Sequence, residues 1–390
     1  MSSALRAPLA LARSITRARL VKTKAFDAFA NAFDRLVSRA EDEMRGEKAY
    51  LEWDDEDERI VFRARSDASG EVSVHAFGPF RSLRFNGVEQ GLSYANVGRD
   101  GRARAESAAL PYEYLRTMTA AYVGLTTWRK KDLMRDEVRV FYVGLGAGAA
   151  PAFARRKFPR LDARVAEIDP LVADVVREHH GVDVDVVREF SDDAEGAGKG
   201  LKVVLQDCAR TIETCEVKSL DVIFMDAFDG DGEIPAHLFE DEFLKNCGDA
   251  LVDGGSLVLN MFNGVRGSKA RKSVARFAQK LERIIGPVCS FPVMEQPVNV
   301  VLSATKVKLG EANRPSREEL VSATAMVGAK AGFEFSLERL VEGAFWVDFT
   351  KGGEFTEVVA GKPGVLGKFK GRNGTIMPRE FLSKLEGENE

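Results

Sequence analysis

Cysteine is scarce: four residues, at positions 208, 215, 247 and 289 of 390, with no two close enough to form a C-x-x-C pair. That spacing excludes a zinc ribbon, a thioredoxin-like motif and a disulfide scaffold, and leaves buried, reduced thiols as the expectation. Long apolar runs are also missing, since no stretch approaches the roughly 18 residues of a membrane span. Nor is there a surplus of positive charge. The 56 Lys and Arg face 60 Asp and Glu, a net charge of -4, so no global basic field points to nucleic acid. Apolar residues, by contrast, make up 45% of the chain, enough to bury a substantial core, and the length suits two or three domains.

One local absence stands out. Residues 1–24 contain no acid but carry Arg6, Arg13, Arg17, Arg19, Lys22 and Lys24 among serines and alanines, the composition of an organellar transit peptide. Such a segment directs a chain to the chloroplast or mitochondrion; without one the expected location is the cytoplasm. Phe26, Phe29, Phe33, Leu36 and Val37 follow at helical spacing, which predicts a short amphipathic helix and closes a first segment at about residue 40.

Residues 48–110 form the next unit. In "IVFRARSDASGEVSVHAFGPFRSLRFNG" apolar and polar positions partly alternate, and "DASG" and "FNG" supply turns, so a small antiparallel β unit is expected. Residues 110–128 have helical apolar spacing. Strand-like runs then alternate with amphipathic segments, at 138–143, 162–168, 201–206, 220–225, 255–262, 288–293 and 298–305. This rhythm predicts a mostly parallel, doubly wound α/β sheet within residues 111–310, whose ligands bind at the carboxyl ends of its strands. Residues 308–320 read as a surface connection opening a carboxyl-terminal extension, 311–390, in which only "AFWVDFTK" looks β-like and no chemistry is evident.

The chemistry concentrates at those strand ends. "VRVFYVGLGAGAAPAF" runs a strand into Gly144, Gly146 and Gly148, a turn whose backbone can approach a nucleoside closely, next to a helix start with free N–H groups. A nicotinamide fingerprint needs a third glycine where Ala149 or Pro151 stands, which disfavours a dehydrogenase. The next strand ends in Glu167, placed to accept from both ribose hydroxyls, and Asp169 before Pro170 reads as a helix N-cap. The third ends in Asp207, a possible acceptor from an adenine amino group. The fourth ends in "MDAFDGDGEIP", where Asp226, Asp229, Asp231 and Glu233 crowd into eight residues. Acids so close repel unless they hold a cation or face water. A calcium loop fits poorly, because its sixth position is Ile234 rather than glycine, although Glu240 stands at the twelfth. An amine, oriented by these carboxylates and giving up a proton to them, fits better. His179 and His180 read as capping or surface residues, and His237 as a helix-start residue near the site.

Four segments, "FYVGLGAGAAPAFARRKFP", "VAEIDPLVADVV", "VVLQDCARTIE" and "DVIFMDAFDGDGEIPAHLFEDEFLKN", resemble in order and spacing the spermidine synthase-like family of S-adenosylmethionine-type transferases. "LRFNGVEQ" looks like that family's "LDG-x-x-Q" turn. The resemblance implies a seven-stranded class I methyltransferase-type sheet behind a small amino-terminal β unit, and S-adenosylmethionine or its decarboxylated form as cofactor. It further implies that Glu167 holds ribose, Asp207 adenine, and Gly144, Gly146 and Gly148 the amino acid or aminopropyl end. Gln90 would contact the cofactor, and Asp226 and Asp229 would orient the attacking amine without a metal. Two departures favour the methyltransferase branch over aminopropyl transfer. Ala147 stands where aminopropyltransferases carry an aspartate, and "PYE" at Pro111, Tyr112 and Glu113 replaces "YHE". "KFP" at 157–159 resembles the methyltransferase-like proteins that modify elongation factor 1A. The expectation is methyl transfer to an amine on a protein or small molecule. Polyamine aminopropyl transfer and a non-catalytic nucleoside-binding module are the alternatives, and a homodimer is possible by the family pattern.

Overall fold

The computed structural model describes residues 58–190, 200–228, 234–263, 269–294, 299–307 and 314–347. The expected transit segment and amphipathic helix, together with Asp229, Asp231 and Glu233, lie outside these residues.

Five antiparallel strands pair in chain order to form the amino-terminal sheet: β1 (Arg59–Ser66), β2 (Gly70–Phe77), β3 (Phe80–Phe85), β4 (Val88–Val97) and β5 (Ala103–Ala105). The β3–β4 hairpin closes through Asn86 and Gly87, both at positive φ (50° and 84°), the combination a tight two-residue turn requires.

The second sheet contains every strand expected from the sequence: β6 (Val138–Val143), β7 (Leu161–Glu167), β9 (Leu201–Leu205), β10 (Leu220–Met225), β11 (Leu251–Phe262), β12 (Val288–Pro292) and β13 (Asn299–Thr305). Two short edge strands, β8 (Val184–Val187) and β14 (Phe345–Trp346), make it nine-stranded rather than seven. Four and two residues are too few to produce a periodic signal in sequence, so β8 was not foreseen and β14 only as a loose β-like run. The order is β14-β12-β13-β11-β10-β6-β7-β9-β8, with β13 antiparallel to β11. From β6 the chain moves outward through β7, then returns to β10 on the other side. That reversal opens a crevice at the carboxyl ends of β6 and β10.

Helices cover both faces: α1 (Glu113–Trp128), α2 (Ala149–Lys157), α3 (Pro170–Val175), α4 (Cys208–Glu213), α5 (Asp241–Ala250), α6 (Lys269–Ile284), α7 (Arg317–Ala331) and α8 (Leu337–Val341). Alternation along the central strands divides the interior in two. Val138, Val140, Tyr142, Val222 and Phe224 join the core that holds α1, α2 and α7. Phe141, Val143, Ile223 and Met225 join the core under α5 and α6. Short continuous apolar strands buried on both sides are what a parallel sheet demands.

The expected surface connection at 308–320 is partly a helix start. Ser316 Oγ accepts from the Glu319 amide (3.1 Å) while Glu319 Oε2 accepts from the Ser316 amide (2.7 Å), a capping box that opens α7. α7 packs along α1, and Leu320 and Val327 are buried there. Ser316→Ala is expected to cost about 1 kcal/mol of stability, measurable by denaturant titration with an unchanged slope.

One histidine expectation is overturned. α3 runs into a wide π turn, Val176–His180, that buries His180 against Ser93 (Oγ to Nδ1, 2.8 Å). Burial pushes its pKa down to about 3, so it is neutral and caps nothing electrostatically. All four cysteines are free, Cys247 and Cys289 buried and the other two partly so. No helix of the described residues is long and apolar enough to cross a membrane.

Candidate functional site

The glycine turn leaves β6 with Gly144, Gly146 and Gly148 all at positive φ (81°, 50° and 71°). Its glycines do different work. A Cβ on Gly148 would lie 2.9 Å from Val176 Cγ1, so that glycine lets α2 pack on the π turn and does not line the cavity. Gly144 and Gly146 line the cavity at the switch point.

Glu167 at the end of β7 supports this turn from beneath. Its Oε2 accepts from the Leu145 amide and its Oε1 from the Asp169 amide, each at 2.9 Å. Burial raises its pKa, and the two amide hydrogen bonds oppose that rise. Asp169 caps α3 as expected (Oδ1 from the Leu171 amide, 2.9 Å) and also accepts from Ser69 Oγ at 2.6 Å, tying the amino-terminal sheet to the nucleoside side of the body.

That sheet reaches the turn through a bulge. Leu83 pairs with Gly91 and Arg84 with Glu89, so Gln90 is the extra residue of β4. Bulges re-aim side chains, and here the bulge sets Gln90 on the cavity, with its carbonyl 3.4 Å from where a Gly146 Cβ would stand. Next to it Gly91 lies so close to the turn that an added Cβ would come within 2.9 Å of the Ala147 amide nitrogen and 3.0 Å of its Cβ. Ala147 is thereby 4% exposed.

Asp226, just past β10, faces the same cavity and is otherwise enclosed by protein. Asn260 Nδ2 donates to its Oδ1 (3.2 Å), Asn299 Nδ2 in turn donates to Asn260 Oδ1 (3.0 Å), and the Tyr114 hydroxyl donates to Asp226 as well. Burial pushes its pKa up to about 6, against the pull of the Asn260 and Tyr114 hydrogen bonds. A carboxylate held by two hydrogen bonds and poised near neutrality is suited to proton transfer.

The structure therefore unites Gln90, Gly144, Gly146 and Asp226 on one cavity, and Glu167 holds the turn that lines it through the Leu145 amide. Asp207 stands farther along the same edge. It caps α4 through Oδ1 (Ala209 amide, 2.8 Å) and sets Oδ2 3.4 Å from His237 Nε2. Cys208 brings a third donor atom to that pair. Burial pushes its thiol up to about 12, which keeps it protonated and makes it a weak metal ligand. Asp229 lies outside the described residues.

Sequence reasoning missed Asn260 and Tyr114, the two partners of Asp226. Asn260 is a lone amide in the apolar run "GSLVLNMF", and such a buried polar residue was the available signal. Tyr112 is the middle residue of the "PYE" triplet and Tyr114 directly follows it; their rings stack at 5.4 Å between centroids.

With this geometry in place, the fold is that of the spermidine synthases. A probable spermidine synthase from Corynebacterium glutamicum ATCC 13032 superposes with a TM-score of 0.52 at 16% identity, over 82% of this chain and 100% of that one. Human methyltransferase-like protein 13, solved with SAH, gives a TM-score of 0.41 at 21% identity, over 61% of this chain and 96% of that one. In sequence, the chain is similar to the eEF1A lysine and N-terminal methyltransferase of Danio rerio, 32% identical over 162 residues, 40% of this chain. The chain spans about a fifth of that relative's length (21%). No protein-family profile matches it.

Proposed function

We propose that this protein transfers a methyl group from S-adenosylmethionine to an amine, the acceptor being a lysine side chain or amino terminus of a protein. The observation that carries the reading is Asp226, fixed by Asn260 and Tyr114 on the cavity that the glycine turn also lines. The zebrafish relative, by its name, acts on such amines in eEF1A.

The residues present suit the cofactor. Glu167 and Asp207 end neighbouring strands, where carboxylates accept from ribose and adenine, and Gln90 and the turn flank the space for the amino acid end. When bound, the cofactor supplies a methyl carbon activated by a positive sulfur. The chain's own part is to align the amine, through Asp226, and to take its proton so that the nitrogen lone pair is free to attack. Asn260 and Tyr114 hold the carboxylate in place before the proton arrives, so little reorganisation is needed.

Ala147 favours the methyl-transfer reading. A carboxylate there would meet a cofactor ammonium, but Ala147 offers none, and its close contact with Gly91 leaves little room for one. Aminopropyl transfer remains the second reading because Asp226 and Gln90 are both in place.

The test is incubation with methyl-labelled S-adenosylmethionine and purified eEF1A, with decarboxylated cofactor plus putrescine as the parallel assay. Label on lysine or the amino terminus is expected; product from the polyamine assay alone would reverse the assignment. Turnover is also expected to rise with pH through about 6, since only ionised Asp226 takes a proton. A profile from pH 5 to 8 in which Asp226→Asn shows the same limb near 6 would count against this role.

A further inference from the structure

A second carboxyl group stands beside the site. Glu89 directly precedes the bulge residue Gln90 on β4. Its Oε1 accepts from the Tyr112 hydroxyl and its Oε2 from Ser82 Oγ at 2.5 Å. The Tyr112 ring stacks on Tyr114, whose hydroxyl donates to Asp226. Glu89 thus lies at one end of a path of fixed contacts, Glu89 to Tyr112 to Tyr114 to Asp226, that ends on the group proposed to receive the amine.

The other side of Glu89 is equally built. Arg84 Nε donates to Ser82 Oγ (3.2 Å), and the Arg84 guanidinium pairs with Glu58 (2.7 Å), which also holds His75 (2.5 Å). The charged and titratable groups facing Glu89 are therefore Arg84 on β3, Glu58 ahead of β1, and Tyr112 and Tyr114 at the start of α1.

We propose that Glu89 is a positioning residue of the amine site: it holds Tyr112 against Tyr114, so fixing the Tyr114 hydroxyl on Asp226, and its own charge adds to the pull on a cationic acceptor. The inference rests on the amine reading above but concerns a different residue. It gives the site a charge that varies in the physiological range. Burial pushes the Glu89 pKa up to about 7, opposed by Ser82 and Arg84, so the group gains its negative charge as pH rises through neutrality. The ionised form is also the better acceptor for both hydroxyls.

n-Butylamine, a lysine side-chain mimic that stays cationic below pH 9, tests this by calorimetric titration of the S-adenosylhomocysteine-loaded protein from pH 5 to 8.5. The expected affinity rises in two stages, near 6 and near 7, by about tenfold in all. Glu89→Gln should keep the first stage and lose the second. Tyr112→Phe, which leaves Glu89 in place, should weaken binding several-fold and add nothing to Glu89→Gln in the double variant. Retention of the second stage in Glu89→Gln, or additivity of the two substitutions, overturns the proposal. Absence of n-butylamine binding to the wild type, with the cofactor bound normally, defeats the amine reading itself and this inference with it.

Discussion

Asp226→Asn is expected to lower turnover by about 10²–10⁴-fold while cofactor affinity stays within a few-fold of wild type. Asn keeps the size of the side chain and can accept from Asn260 or Tyr114, so the cavity should retain its shape. What it cannot do is take a proton. The loss belongs in kcat, because the missing interaction is made with the acceptor as it reacts and not with the resting cofactor. Single-turnover kinetics with labelled cofactor separate the two effects. Unchanged turnover would make Asp226 a structural acid with no part in proton transfer; a loss of cofactor binding would show that the residue belongs to the nucleoside pocket.

Ala147→Asp is expected to weaken S-adenosylmethionine binding by a hundredfold or more. In the proposed reading the turn meets the cofactor's carboxylate, and a second carboxylate brought against it costs several kcal/mol, where each factor of ten is about 1.4 kcal/mol. The crowding between Gly91 and Ala147 adds a steric demand on β4. The decarboxylated cofactor lacks the repelled group, so its affinity should fall less or even rise. Calorimetry with both ligands on the variant, after thermal unfolding has shown that it folds, gives the comparison. Equal losses for the two ligands would mean that position 147 acts through packing alone.

Much of this site was legible because a parallel sheet writes its functional ends into sequence. Buried strands are continuous apolar runs, so the residue where each run stops, Gly144, Glu167, Asp207 or Asp226, is marked by a change of character. Those four positions stand at strand ends in the structure as the sequence implied. What could not be read depends on contacts between distant segments. The Gln90 bulge is a matter of register between β3 and β4, which one sequence does not record. Asn260 and Tyr114 meet Asp226 only because β11 and α1 pack against β10. The same holds for His180: its place at a helix end suggested a charge interacting with the dipole, but β4 covers it with Ser93 and leaves it neutral. α7 escaped notice because its capping box follows a polar, proline-containing stretch that looks like a loop until Leu320 and Val327 are seen to be buried.

The central claim is that the glycine turn and its neighbours read intact S-adenosylmethionine. The most direct measurement is calorimetric titration of the wild-type protein with S-adenosylmethionine and, separately, with its decarboxylated form. The account predicts tighter binding of the intact cofactor, because Ala147 leaves its carboxylate unopposed. Tighter binding of the decarboxylated form would contradict it and favour aminopropyl transfer.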